Sequence, residues 1–153
     1  EETASTFLEN ALIKARNASF LTGLPAIADD SGLCVDALNG LPGVNSAIYA
    51  GLKKSDKKNM SKLLENMEGT ENRKAFFICT LVAIRNPLDP APIIVEGRWY
   101  GEISKELKGT QGFGYDPIFI PDKYKKTFAE MNPSKKYKLD HRYRAFKKIK
   151  KFF

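Results

Sequence analysis

The chain has 153 residues, 42% hydrophobic and 28% charged, with a formal net charge of +7. That is the size and balance of one ordinary folded domain, which excludes a disordered or fibrous chain. The longest apolar run, Ala75–Ile84, contains Thr80 and is far shorter than the about 20 residues a membrane crossing needs, so no membrane partner is expected.

No basic-then-apolar segment opens the chain, and a cytoplasmic location is expected. In chain order, Thr6-Phe-Leu-Glu9 has the spacing of a capping box. It predicts a helix to about Leu21 that stops at Gly23, with Leu8, Ala11, Leu12, Ala15 and Ala18 on its apolar side. After Pro25, Ala26-Ile-Ala28 reads as a short buried strand that ends in an acidic turn. Leu33-Cys-Val35 resumes the apolar run, and Asn39-Gly-Leu-Pro-Gly43 is a further turn. Ser55 or Asp56 caps a second helix through Met67, with Met60, Leu63, Leu64 and Met67 inward. Lys74–Arg85 and Ile93–Trp99 are strands joined by a proline-rich turn, which suggests an antiparallel hairpin. Glu102–Leu107 reads as a further strand, Gly109–Asp116 as a glycine-rich loop, Ile118–Ile120 as a short apolar segment and Thr127–Met131 as extended. A last helix begins near Asp140. With no repeat or linker, this is a single α/β domain over 1–153 built on a mixed sheet. Cys34 and Cys79, without C-x-x-C or clustered histidines, read as reduced buried thiols and not as a zinc site.

Three segments carry chemistry. In Ala26-Ile-Ala-Asp-Asp-Ser-Gly-Leu33 the paired carboxylates Asp29 and Asp30 follow a strand, a usual ligand position in α/β sheets. Oxygen donors suit a hard cation such as Mg²⁺. The same residues also read as a polar turn. In Gln111-Gly-Phe-Gly-Tyr-Asp-Pro117 the glycines allow close backbone approach, Phe113 and Tyr115 offer flat faces and Asp116 an acceptor, although glycine-aromatic turns are common. Asp140-His-Arg142 opens the last helix, where amides and the helix dipole favour an anion. Ten of the nineteen lysines fall between Lys123 and Lys151. That basic field suits a nucleotide or a nucleic acid, and equally a solvated lysine face. Because the sharpest segment is acidic, no nucleic-acid partner is expected.

Taken together, in this order, these stretches resemble the inosine/xanthosine triphosphate pyrophosphatases, the HAM1-like house-cleaning enzymes. The match runs through Glu1-Glu-Thr3, Thr6-Phe-Leu-Glu-Asn-Ala-Leu-Ile-Lys-Ala-Arg16, Leu24–Leu33, Val35–Gly43, Gly112–Phe119 and His141-Arg142. The resemblance implies a twisted mixed sheet flanked by helices, with a substrate cleft between two lobes. It also implies a homodimer and Mg²⁺-dependent cleavage of purine nucleoside triphosphates (ITP, dITP, XTP) to monophosphate and pyrophosphate.

By the same resemblance Asp30 is the general base and a metal ligand, supported by Asp29. Glu1 matches a metal ligand, with Glu2 beside it. Lys14 matches a triphosphate lysine and Ser31 a substrate contact. Phe113, Gly114, Tyr115 and Asp116 bind the base, Lys136 matches a substrate lysine, and His141 and Arg142 contact the purine. Two departures stand out. The family opens with a strand and a Thr/Ser-x-Asn-x-x-Lys phosphate loop, and this chain begins after it, so an N-terminally incomplete domain is expected. Asp140 stands where the family usually has Ser, which predicts weaker discrimination between bases. A pyrophosphatase for modified pyrimidine nucleotides and a basic nucleic-acid-binding domain are the alternatives.

Overall fold

A computed structural model describes residues 3–136 and 138–153, apart from the side chain of Lys136. Its elements are α1 (Phe7–Thr22), β1 (Ala26–Val35), α2 (Asp56–Asn66), β2 (Lys74–Ile84), β3 (Ile93–Ile103), β4 (Phe119–Pro121), α3 (Pro133–Lys136) and α4 (His141–Ile149), with short 3-10 turns among them. The strands form one sheet in the order β1-β2-β3-β4. β3 and β4 run antiparallel, with Glu102 opposite Ile120. Two compact units emerge: the chain up to Ser31 with Ile78–Arg98 and His141–Phe153, and Gly32–Phe77 with Trp99–Asp140.

In the first unit, alternation along β2 explains the packing. Val82 and Ile84 meet Ala11 and Ala15 of α1, whereas Cys79, Leu81 and Ala83 meet Ala145 and Ile149 of α4. Successive strand side chains point to opposite faces, so this part of β2 is apolar throughout because it is covered on both sides. The alanines of α1 let its backbone lie close to the sheet. Its buried stripe is therefore Asn10, Ala11, Ala15 and Ser19, and Leu8 and Ala18 are exposed, contrary to the expected apolar side. The Thr6 hydroxyl accepts from the Glu9 amide as expected, but it donates to the Glu9 carboxylate itself. Gly23 ends α1 in the left-handed conformation.

In the second unit, Met60, Leu63 and Met67 pack with Leu33, Val35, Phe77, Trp99, Phe119 and Phe128 in one core. The Trp99 and Phe128 rings meet edge to face, 4.4 Å between centroids. The Arg73 guanidinium donates to the carbonyls of Met67, Thr70, Ile103 and Ser104, which closes the turn after α2 against the end of β3.

Three expectations about local structure fail. The acidic residues do not form a turn: β1 continues through Asp29, Asp30, Ser31 and Gly32 as one ten-residue strand. β3 runs on to Ile103, so Glu102–Leu107 is not a separate strand. Thr127–Met131 is a 3-10 turn, not an extended segment, closed by reciprocal hydrogen bonds between Thr127 and Glu130. Cys79 is buried in β2, and Cys34 is only half-buried in β1.

Candidate active site

Within the first unit the site is built on β1 and α1. Strand alternation separates Asp29 and Asp30, which the sequence places side by side. Asp29 shares a face with Ser31, whose hydroxyl donates to its carboxylate at 3.1 Å. Asp30 lies on the α1 side with Ala26 and Ala28 and is 6% exposed. One turn of α1 brings Asn10 and Lys14 to it, four residues apart on a single helical face. The Asn10 amide donates to Asp30 Oδ2 at 3.2 Å. Lys14 Nζ lies 3.5 Å from Oδ1, an ion pair with a half-exposed cation. The acidic pair is thus one buried, charge-compensated carboxylate and one half-buried carboxylate tied to a hydroxyl.

Asn10 is the residue that sequence patterning missed. It is 1% exposed, and its carboxamide also holds both backbone polar groups of Ala4. The available signal was a single amide beside the small-residue stripe of α1. Glu1 and Glu2 lie outside the described residues.

Also in this unit, α4 starts at His141, which is buried, whereas Arg142 is exposed. Gly97 of β3 sets the approach, because a Cβ there would collide with the backbone of His141 and Ala145. Lys148 Nζ donates to the Glu96 carbonyl at 2.6 Å and fixes the other end of the helix.

The second unit carries the glycine-aromatic loop. Gly112 and Gly114 adopt positive φ, 84° and 61°, which favours glycine at both positions. Asp116 is buried and accepts from the Phe113 amide at 3.0 Å. The Gly114 amide donates to Asp56, the first residue of α2, at 2.8 Å. Tyr115 belongs to the core, and its hydroxyl donates to the Ser46 carbonyl at 2.6 Å. Burial, and then the neighbouring Tyr49 and Asp56, push its phenol well above the ordinary tyrosine range. Of the two rings, Phe113 is the exposed one, at 60%. Asp116 and Tyr115 hold the loop, and Phe113 presents a face. Lys136 ends α3, and its side chain lies outside the described residues.

A buried strand-borne carboxylate with a lysine beside it suits an α/β hydrolase that directs water at phosphate. Comparison with known proteins narrows this class. The Ham1 family model matches residues 1–152, and the chain belongs to that family. It is 53% identical to the dITP/XTP pyrophosphatase of Vibrio parahaemolyticus over 150 residues, 97% of this chain and 75% of that protein. It is 51% identical to the dITP/XTP pyrophosphatase of Shigella flexneri, covering 96% of this chain and 76% of that protein. A solved HAM1 protein from Coxiella burnetii superposes with a TM-score of 0.97 at 47% identity, over 99% of this chain and 78% of that one. The Staphylococcus aureus Ham1 protein superposes at 0.94, with 42% identity, over 99% of this chain and 78% of that one.

Proposed function

We propose that this protein hydrolyses deaminated purine nucleoside triphosphates (ITP, dITP and XTP) to the monophosphate and pyrophosphate, with Asp30 as the general base. The observation that carries the reading is the setting of Asp30: buried in β1, fixed by Asn10 and paired with Lys14. In the reaction Asp30 takes a proton from water, and the water oxygen bonds one phosphorus of the α–β anhydride as the bridge to that phosphorus breaks. Lys14, half-exposed and cationic, holds triphosphate oxygens, and Ser31 contacts the substrate from the Asp29 side of the strand. Phe113 stacks on the base, with Gly114, Tyr115 and Asp116 shaping the loop beneath it. Lys136 contacts the substrate, and His141 and Arg142 contact the purine, where a donor facing the 6-oxo group and left unpaired by the wrong base discriminates strongly.

Mg²⁺ is the expected cofactor. The donor chemistry fits: Asp30 offers hard carboxylate oxygens, and Asn10 ties Ala4, two residues after Glu2, beside it. Asp30 and Glu1 would hold the ion, with Glu2 and Asp29 nearby in sequence. A bound divalent ion neutralises phosphate charge in such reactions. The reading includes a homodimer in the cytoplasm. Among the described residues no helix is long and apolar enough to cross a membrane.

The test is pyrophosphate release by the full-length protein from ITP, XTP, dITP and ATP, with and without Mg²⁺. Metal-dependent release from the deaminated purines well above that from ATP is expected. Absence of release from all four would defeat the proposal.

A further inference from the structure

Asn10 makes a pattern of contacts that packing does not require. An amide at a helix position facing a sheet costs free energy unless each of its polar atoms is satisfied, and an alkyl side chain of that size would avoid the cost. Here the satisfaction is complete and divided between two targets. Oδ1 accepts from the Ala4 amide at 2.9 Å, and Nδ2 donates to the Ala4 carbonyl at 3.4 Å and to Asp30 Oδ2 at 3.2 Å. The orientation is dictated by chemistry. An ionised carboxylate only accepts and a backbone amide only donates, so turning the carboxamide over would set acceptor against acceptor and donor against donor. Asp30 therefore selects which way Asn10 points, and Asn10 in turn fixes the chain at Ala4.

We propose that Asn10 is a positioning residue of the Asp30 centre, holding the carboxylate of the base and the backbone at Ala4 in register through one carboxamide. This rests on the reading of Asp30 as the base. Its consequence is that the segment immediately before α1 and the catalytic carboxylate move together or not at all. A helix that merely packed on the sheet would fix neither the rotation of the Asp30 carboxylate nor the path of the chain ahead of Thr6. Lys14 lies farther from the carboxylate, at 3.5 Å against 3.2 Å for Asn10, and is the more exposed partner.

Two variants of the full-length protein separate the two arms. Asn10→Asp keeps an acceptor for the Ala4 amide but loses the donor to Asp30 and to the Ala4 carbonyl. Asn10→Leu keeps the volume and loses both arms. For ITP, both should lower kcat by about 30-fold with KM little changed, the pattern of a group that aligns reacting atoms without binding substrate. Hydrogen exchange at the Ala4 amide should stay slow in Asn10→Asp and become faster in Asn10→Leu, with both proteins still folded by melting. Asn10→Asp with parental kcat would overturn the inference, as would unchanged Ala4 exchange in Asn10→Leu. Asp30→Asn, assayed alongside, tells the two failures apart. If it is inactive while the Asn10 variants behave as the parent, only the positioning role fails. If it is fully active, the base assignment fails and takes the inference with it.

Discussion

The Asp30 centre stands on a strand and a helix, whereas the Phe113–Asp116 segment is a loop with two glycines in left-handed conformations. In the first, side chains hold side chains: Asn10 and Lys14 converge on a carboxylate. In the second, the backbone is held: Asp116 and Asp56 accept the amides of Phe113 and Gly114, and Tyr115 anchors the loop in the core. Regular elements set reacting groups to within fractions of an ångström. A loop held by its amides offers an exposed ring that can adjust to a flat partner. The first arrangement suits chemistry and the second suits recognition, and substitutions should separate kcat from KM accordingly.

The largest effect is expected at Asp30. Asp30→Asn keeps the shape and removes the base, and kcat for ITP should fall by at least about a thousandfold, near the upper part of what general-base catalysis contributes. KM should change little. A variant that retained a tenth of the parental kcat would break the contrast at its stronger end.

In the loop, Phe113→Ala should act mainly on KM, raising it about tenfold as an exposed stacking face is lost, with kcat nearly preserved. Tyr115→Phe sharpens the assignment of that residue to support. It removes the donor to the Ser46 carbonyl, which still accepts from Asn59, so the cost should be about 1 kcal/mol of stability with kinetics unchanged. A large rise in KM for Tyr115→Phe in a stably folded protein would move that residue from support to contact.

Much of this was legible in the sequence, and what was not has identifiable physical causes. Caps declare themselves locally, so the starts of α1 and α2 and the left-handed stop at Gly23 followed from residue type. β1 did not, because Asp and Gly are poor strand formers and two carboxylates followed by Ser-Gly look like a turn. Its extended course beside β2 overrides that preference. The error mattered, since a turn would have left Asp29 and Asp30 together, whereas a strand divides them between two faces. Asn10 was invisible for a different reason. Periodicity counts an amide as a surface residue, and its burial depends on a partner 20 residues away. Likewise Tyr115 and Phe113 are equivalent as ring types, and only the core around Ser46 distinguishes them.

The smallest effect is expected away from both regions, at the turn between β2 and β3. Asp89 is buried there, accepting from the Arg85 amide and guanidinium and from the Ala91 amide. Those bonds, led by the Arg85 side chain, hold its carboxyl far below the usual carboxylate range. A group whose folded-state value is depressed contributes stability that is fully present above its unfolded value of about 3.9 and is lost as pH falls below it. Asp89→Asn should therefore lower the melting temperature at pH 7, and the gap to the parent should narrow steadily from pH 4 down to pH 2. Turnover at pH 7 should stay within about twofold of the parent, because the Asp89 carboxylate serves Arg85 and Ala91 of its own turn. A loss of kcat comparable to that of the Asn10 variants would mean that the hairpin turn helps to set the acidic centre. In that case the Arg16 side chain, which donates from α1 to the carbonyls of Pro87 and Asp89, would be the route, because it sits on the same helix as Asn10 and Lys14.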